Sequence, residues 1–378
     1  MKLSEEQKLI RDSVRKFTEK EIFPIAEKMD REEYWPDDFF RKFGELGILG
    51  PTISEEYGGL GSDPLTQVLI SEELSKGSLG AAISYIAHSN LCAHNLYHNA
   101  NDAQRAKYVP PLCSGEKVGA LGLTEPGAGS DAVGIQTSAV REGDFYRLNG
   151  NKMFITNAPI ADTMIVYAKT DKSKGSHGIT AFIVEKDFKG FSVSRKLEKM
   201  GMRCSPTGEV VLDDCMVPAE NVLGEENNGV AVMMSGLDIE RVMVAAISLG
   251  VAESAFAESL KYSREREQFG KPISTFQLIQ AKLADMYTNI EAARLLTYDV
   301  AIRSASEKKL RKESAAAVLF SAEMATKICL DAIQVHGGYG YMLEFPVNRY
   351  MRDAKLMEIG AGTSEIRRIL IAKELLKL

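Results

Sequence analysis

The sequence predicts a multi-domain α+β protein: a helical N-terminal domain, a middle antiparallel β domain and a C-terminal helical bundle. Two changes of texture and one length argument carry that prediction. Residues 1–118 repeat apolar positions at spacings of three and four, residues 119–225 switch to short β-branched runs, and residues 226–378 return to the helical period. At 378 residues the chain exceeds what one ordinary core organises, so two or three domains are expected.

In the first domain, Ser4 and Gln7 form a capping-box pattern ahead of an apolar run through Leu9, Ile10, Val14 and Phe17. Pro24, Pro36, Pro51 and Pro64 punctuate the segments after that run. Helices are expected over 65–74, 81–99 and 103–112. His94 and His98 lie four apart on the second and could face one way as metal ligands. No nearby carboxylate or cysteine completes a set, so ordinary packing is the simpler reading.

The middle domain rests on runs such as Met164-Ile165-Val166-Tyr167 and Ile179-Thr180-Ala181-Phe182-Ile183-Val184. Turn signals at Glu142-Gly143-Asp144 and Asn149-Gly150-Asn151 separate the runs. A small antiparallel barrel or sandwich accounts for this pattern.

In the third domain, helices are expected over 228–265, 275–305, 311–336 and 364–377, which implies a bundle. The first of them has almost no charge between Val230 and Val251 except Asp238, Glu240 and Arg241. A carboxylate on so apolar a helix is costly unless paired, exposed or used, and desolvation would raise its pKa into the range of a general base. Taken alone, Glu240 and Arg241 could equally be surface or interface charges.

Composition narrows the function. A net charge of −6 with a pI near 5.6 argues against nucleic acid as the main ligand. The five cysteines lack any C-x-x-C pair, which suits free thiols in a reducing compartment. No apolar run is long enough to span a membrane, and no targeting segment precedes the first helix, so a cytoplasmic protein is expected.

Four glycine- and polar-rich stretches invite a ligand. Residues 121–131 (LGLTEPGAGSD) allow close backbone approach and carry the Thr124 and Ser130 hydroxyls. In 152–157 (KMFITN), Phe154 could lie on a planar group while Thr156 bonds its edge. In 264–272 (REREQFGKP), Arg266 sits at a helix end beside Gly270, as suits a diphosphate. In 334–341 (QVHGGYGY), backbone amides of the Gly337-Gly338 turn could hold an anion. Each of these also has a plain structural explanation as a turn, a strand or a helix connection.

Together with GMRCSPT at 201–207, RDAK at 352–355 and GAGTSEIRR at 360–368, these stretches resemble the acyl-CoA dehydrogenase family of flavoproteins over essentially the whole chain. That resemblance implies an N-terminal helical domain, a middle antiparallel β-barrel, a C-terminal four-helix bundle and a homotetramer. It implies FAD lined by Leu121, Leu123, Thr124, Phe154, Ile155 and Thr156. Arg266, Gln268, Phe269 and Gln277, from a neighbouring subunit, would hold the diphosphate and adenine end, with Gln334, Val335, His336, Gly337, Gly338, Thr363, Ser364 and Glu365 completing the site. Ser130, Asp238, Arg241, Ala361 and Gly362 would meet the acyl-CoA.

One departure bears on mechanism. Most family members carry the catalytic glutamate immediately before the Gly-Thr of the last motif, where this chain has Ala361. A smaller group resembling isovaleryl-CoA dehydrogenase has the base within L-D-x-E-R, matched here by Leu237 to Arg241. The resemblance therefore implies Glu240 as the base, taking the α proton of a short-chain, branched acyl-CoA while the β hydrogen leaves as hydride, with electrons passing to an electron-transferring flavoprotein. Met357 stands where similar isovaleryl-type enzymes have Tyr, which leaves 2-methyl-branched, straight short and alicyclic acyl groups open. An oxidase, a reductase on the same scaffold and a non-catalytic DNA-associated relative are the competing functions.

Overall fold

The computed structural model describes residues 3–307 and 309–377, with the side chain of Asp238 outside the described set. The N-terminal unit holds α1 (Glu5–Phe17), α2 (Ala26–Arg31), α3 (Phe39–Glu45), α4 (Pro64–Gly77), α5 (Leu79–Ile86), α6 (Asn95–Asn99) and α7 (Asp102–Cys113). The expected capping box forms: Gln7 N donates to Ser4 Oγ (3.1 Å) and Ser4 N donates to Gln7 Oε1 (3.0 Å). The helix expected over 81–99 instead passes through wider, π-type turns at Ala87–His94. His88 is spent on structure there, with Nε2 at 2.9 Å from Leu112 O and Nδ1 accepting from Gly119 N at 2.9 Å. His94 Nδ1 lies 2.7 Å from Thr52 Oγ1, and no metal-binding group of side chains occurs among the described residues.

The middle unit is a sheet of eight strands: β1 (Gly119–Gly122), β2 (Ser138–Glu142), β3 (Phe145–Thr156), β4 (Thr163–Lys169), β5 (Ile179–Glu185), β6 (Phe191–Lys196), β7 (Thr207–Pro218) and β8 (Val222–Leu223). It runs β6-β7-β3-β2-β4-β5-β8, with β1 paired to β4. The expected antiparallel barrel is corrected on two points. The path stays open, because β8 ends after two residues on the way to the next helix and β6 is a largely exposed edge. The sheet is also mixed, since β1 runs parallel to β4 with Gly119 opposite Thr163. Strands β4 and β5 are buried along six consecutive residues each, which explains why they read as continuous apolar runs.

The C-terminal unit is the expected bundle: α8 (Gly229–Glu265), α9 (Gln277–Ser304), α10 (Arg311–His336) and α12 (Ser364–Leu376), with the short α11 (Pro346–Ala354) between the last two. Two-residue strands β9 (Glu267–Gln268) and β10 (Lys271–Pro272) form a clip after α8. Every residue from Val242 to Ala252 is buried, so α8 is covered on all sides there and serves as the central helix of the unit. No helix of the described residues is long and apolar enough to cross a membrane.

Helix α8 also joins the units. Ser71 Oγ on α4 contacts Met243 Sδ at 3.7 Å, and Ser254 Oγ donates to Lys76 O at 2.9 Å. A Cβ on Gly250 would meet Ser75 Oγ at 2.0 Å and Glu72 O at 2.3 Å. Gly250→Ala is therefore expected to destabilise the protein by about 1–3 kcal/mol through overpacking, read as a lower midpoint in chemical denaturation.

Candidate active site

The first glycine-rich stretch is held by a buried ion pair. Lys152 is fully buried, and its Nζ donates to Glu125 Oε1 (2.8 Å) and Leu123 O (3.2 Å). Glu125 in turn accepts from Gln136 N (2.6 Å), Thr137 N (3.0 Å) and Thr137 Oγ1 (2.5 Å). Burial pushes the Lys152 ammonium down to about 8 against the pull of Glu125, so the pair stays charged at neutral pH. Reciprocal backbone bonds between Glu125 and Ala128 close the turn around Pro126-Gly127.

The second stretch meets the first at a bulge. The register of β3 against β7 shifts between Lys152 and Ile155, and Phe154 takes a left-handed φ of 61°. Such a bulge re-aims a side chain. Phe154 is 67% exposed while its neighbours Lys152 and Ile155 point inward. Met153 N donates to Thr124 O at 2.8 Å, which sets Leu121, Leu123, Thr124, Phe154 and Thr156 at one end of the sheet. Asn157 fixes that end to the helices, its Nδ2 donating to Ser84 O (2.9 Å) and Gly119 O (3.2 Å). Ser130 is exposed.

Glu240 lies on α8, 8% exposed. Burial raises its carboxyl to about 7, against the opposing pull of Arg241 and Arg367. Its charge also bears on the buried Tyr167 of β4, whose hydroxyl accepts from Asn95 Nδ2 at 3.3 Å. Arg241 is half-buried on the same helix. The Asp238 side chain, expected to meet the acyl-CoA, lies outside the described residues.

The turn before α12 carries Ala361 and Gly362, both left-handed with φ of 55° and 91°. Thr363 caps α12, its Oγ1 accepting from Ile366 N at 3.3 Å; Ser364 is buried and Glu365 exposed. Arg367, one turn into α12, is 1% exposed. Its Nη1 donates to Met357 O and its Nη2 to Gly360 O, both at 2.8 Å.

The third and fourth stretches come together elsewhere. Arg266, Gln268, Val335, His336, Gly337 and Gly338 line one cavity of about 450 Å³. The Arg266 guanidinium lies 5.5 Å from the Tyr339 ring centroid, and His336 stacks on Tyr262 at 4.2 Å. A Cβ added at Gly337 or Gly338 would meet nothing within 4 Å, so the turn is open to a ligand. Gln334 and Gln277 are exposed, and Phe269 is 93% exposed at the tip of the clip. From Glu240 to Arg266, α8 rises about 39 Å at ~1.5 Å per residue. Glu240 and the Arg266 cavity are thus well separated along one long helix.

Reading the sequence missed Lys152, Glu125, Asn157 and Arg367 as supporting residues. Lys152 and Arg367 lie inside motifs already singled out, but a basic residue is normally exposed, and nothing local signals its burial.

Comparison with known proteins places the chain in a family. Profiles of the acyl-CoA dehydrogenase N-terminal, middle and C-terminal domains match residues 4–116, 120–215 and 227–376. The fold is that of a family of flavoprotein oxidoreductases. The chain belongs to the acyl-CoA dehydrogenase family, and within it stands near the isovaleryl-type members. It is 49% identical to the mitochondrial isovaleryl-CoA dehydrogenase of Pongo abelii, over 98% of this chain and 89% of that one. Butyryl-CoA dehydrogenase from Megasphaera elsdenii superimposes with a TM-score of 0.97 at 43% identity, over 100% of this chain and 99% of that one. A chain solved in work on the electron transferring flavoprotein of Acidaminococcus fermentans and flavin-based electron bifurcation gives a TM-score of 0.98 at 46% identity, over 100% of both chains.

Lys152→Met leaves Glu125 in the interior without its counter-charge. It is expected to lower stability by about 3 kcal/mol, measured by denaturant titration, and to reduce the flavin retained on purification, read from visible absorbance.

Proposed function

We propose that this acyl-CoA dehydrogenase oxidises a short-chain, branched acyl-CoA to the 2-enoyl-CoA, with Glu240 as the base, FAD as the redox group and an electron-transferring flavoprotein as the acceptor. The observation that carries the reading is the buried Glu240 carboxylate with a pKa of about 7. A base poised near the working pH is partly ionised and still basic enough to take a proton.

The residues present fit FAD. Leu121, Leu123, Phe154, Ile155 and the hydroxyls of Thr124 and Thr156 offer a largely apolar face with polar edges, as suits a flavin ring. Arg266 beside the open Gly337-Gly338 turn supplies charge and backbone room for a diphosphate. Gln268, Phe269, Gln277, Gln334, Val335, His336, Thr363, Ser364 and Glu365 would complete its binding. When bound, FAD supplies the acceptor for the β hydrogen.

The protein's part is geometric and electrostatic. Glu240 takes the α proton, the electrons of that C–H bond become the new double bond, and the β hydrogen leaves with its electron pair. Ser130, Asp238, Arg241, Ala361 and Gly362 are assigned to the acyl-CoA. The small residues at 360–362 favour a branched acyl group: a Cβ at Gly360 would lie 3.4 Å from its nearest neighbour and one at Gly362 3.9 Å from its own. Met357, buried at 1% exposure, is a flexible wall that adapts to branching.

The 39 Å along α8, at ~1.5 Å per residue, exceeds the reach of one dinucleotide. The diphosphate half of each FAD site is therefore assigned to a neighbouring copy, with chain units at 1–118, 119–225 and 226–378 and a homotetramer as the assembly. Phe269, Leu278 and Tyr341, 93%, 83% and 79% exposed near that half-site, suit burial against another copy.

Glu240→Gln is expected to keep bound flavin and ligand binding while flavin bleaching by acyl-CoA slows by about 10²–10⁴-fold. Bleaching at the normal rate in that variant would remove the assignment. In the unmodified enzyme, the single-turnover rate should rise with pH through about 7, because only ionised Glu240 accepts the proton; stopped-flow absorbance checks the direction. Arg266→Ala should weaken FAD binding about 10- to 100-fold without altering the far-UV spectrum, measured by flavin fluorescence on dilution.

A further inference from the structure

A network of charged side chains ties the N-terminal unit to the bundle, away from both groups of candidate site residues. On α4, Lys76 Nζ lies 3.0 Å from Glu73, 2.8 Å from Glu253 of α8 and 3.8 Å from Glu72. Arg15 of α1 pairs with Glu73 at 2.9 Å, and Arg294 of α9 pairs with Glu253 and Glu291. Tyr298 of α9 donates its hydroxyl hydrogen to Glu72 Oε2 at 2.6 Å. The helices meet closely here: Ser254 Oγ donates to Lys76 O at 2.9 Å, and a Cβ on Gly250 would meet Glu72 O at 2.3 Å.

The charges in this junction do not balance. Four carboxylates, those of Glu72, Glu73, Glu253 and Glu291, face three cations, Arg15, Lys76 and Arg294. At the rim, Asp12 lies 3.6 Å from Arg15 but has Arg11 at 2.9 Å, and Glu19 is exposed. Glu73 and Glu253 each bond two cations, and Glu291 bonds one. Among the described residues, Glu72 accepts its hydrogen bond from a neutral phenol instead. Its side chain is 5% exposed, and burial penalises an ion without charged partners. Burial, with Glu253 second, pushes the Glu72 carboxyl up to about 8 against the pull of Lys76, Tyr298 and Arg294. Burial opposes ionisation of Glu73 as well, but Arg15 and Lys76 outweigh it and hold that carboxyl low.

We propose that this network is a proton-held latch between the N-terminal unit and the bundle: Glu72 carries a proton at neutral pH, and its loss leaves an unmatched negative charge in the junction that loosens α4 from α8 and α9. A cavity of about 450 Å³, lined by Arg15, Glu73, Lys76, Glu253 and Arg294, opens onto the network and gives solvent a path to it.

The test compares the flavin-loaded enzyme with Glu72→Gln, which keeps an acceptor for Tyr298 and fixes the neutral form. Two readings are taken. Near pH 7, the infrared carbonyl band of a protonated carboxylic acid should be stronger in the parent protein than in Glu72→Gln. Amide hydrogen exchange over α4 and α9 is then followed from about pH 5 to about pH 9. Dividing parent by variant at each pH cancels the intrinsic pH dependence of exchange. A carboxyl held above its unfolded value stabilises the fold at low pH and loses that stabilisation as pH rises through the folded value. The ratio should therefore climb by up to about 10-fold per pH unit between the ordinary carboxylate range and about 8, and level off above it. A missing band difference or a flat ratio overturns the inference. Should Glu72→Gln not fold, Tyr298→Phe decides. It removes a donor that favours the ion, so the ratio of variant to parent exchange should rise above about pH 8; a ratio constant with pH overturns the inference. Neither reading uses substrate, so the result stands apart from the assignment of Glu240.

Discussion

A carboxylate inside a helical bundle is the constraint on which the rest of the site depends. Glu240 sits buried on a long apolar helix, where ionisation is opposed by desolvation. Without compensation it would stay protonated at neutral pH. Two arginines from different segments oppose that tendency, one a neighbour on α8 and one brought in by α12. The balance leaves the carboxyl at about 7, between inert acid and spectator anion.

The sheet meets a second requirement, an exposed aromatic ring beside a rigid loop. Both come from one irregularity. The bulge between Lys152 and Ile155 turns Phe154 outward and drives Lys152 inward to Glu125. A regular β3 would put residues 152 and 154 on the same face. The loop at 121–131 is thus fixed by a charge pair under it, while two of its three glycines stay free of contacts: a Cβ at Gly127 or Gly129 would meet nothing within 4 Å.

The length of α8 bears on the proposed sharing of each FAD site between copies. A helix of 37 residues carries Glu240 about a third of the way along and the Arg266 cavity at its C-terminal end. On the proposed reading, the same straight helix that centralises the core would also separate the two halves of a site shared between copies. The large exposed apolar side chains near the Arg266 end would then be covered by another copy.

The sequence by itself determined the order of helical, sheet and helical units, the ends of the long helices and the residue offered as base. These features are written in local period, capping and a compact motif: Ser4 and Gln7 form their capping box, α10 spans Arg311–His336 as its period predicts, and Leu237 to Arg241 lies on one helix. Only the tertiary structure decided that the sheet stays open, that Phe154 stands out from a bulge, and that Lys152 and Arg367 are buried cations. The physical reason is range. Period and capping act over a few residues, whereas the burial of a charge depends on partners distant in sequence: Lys152 reaches Glu125, and Arg367 is covered because α12 packs back against α10.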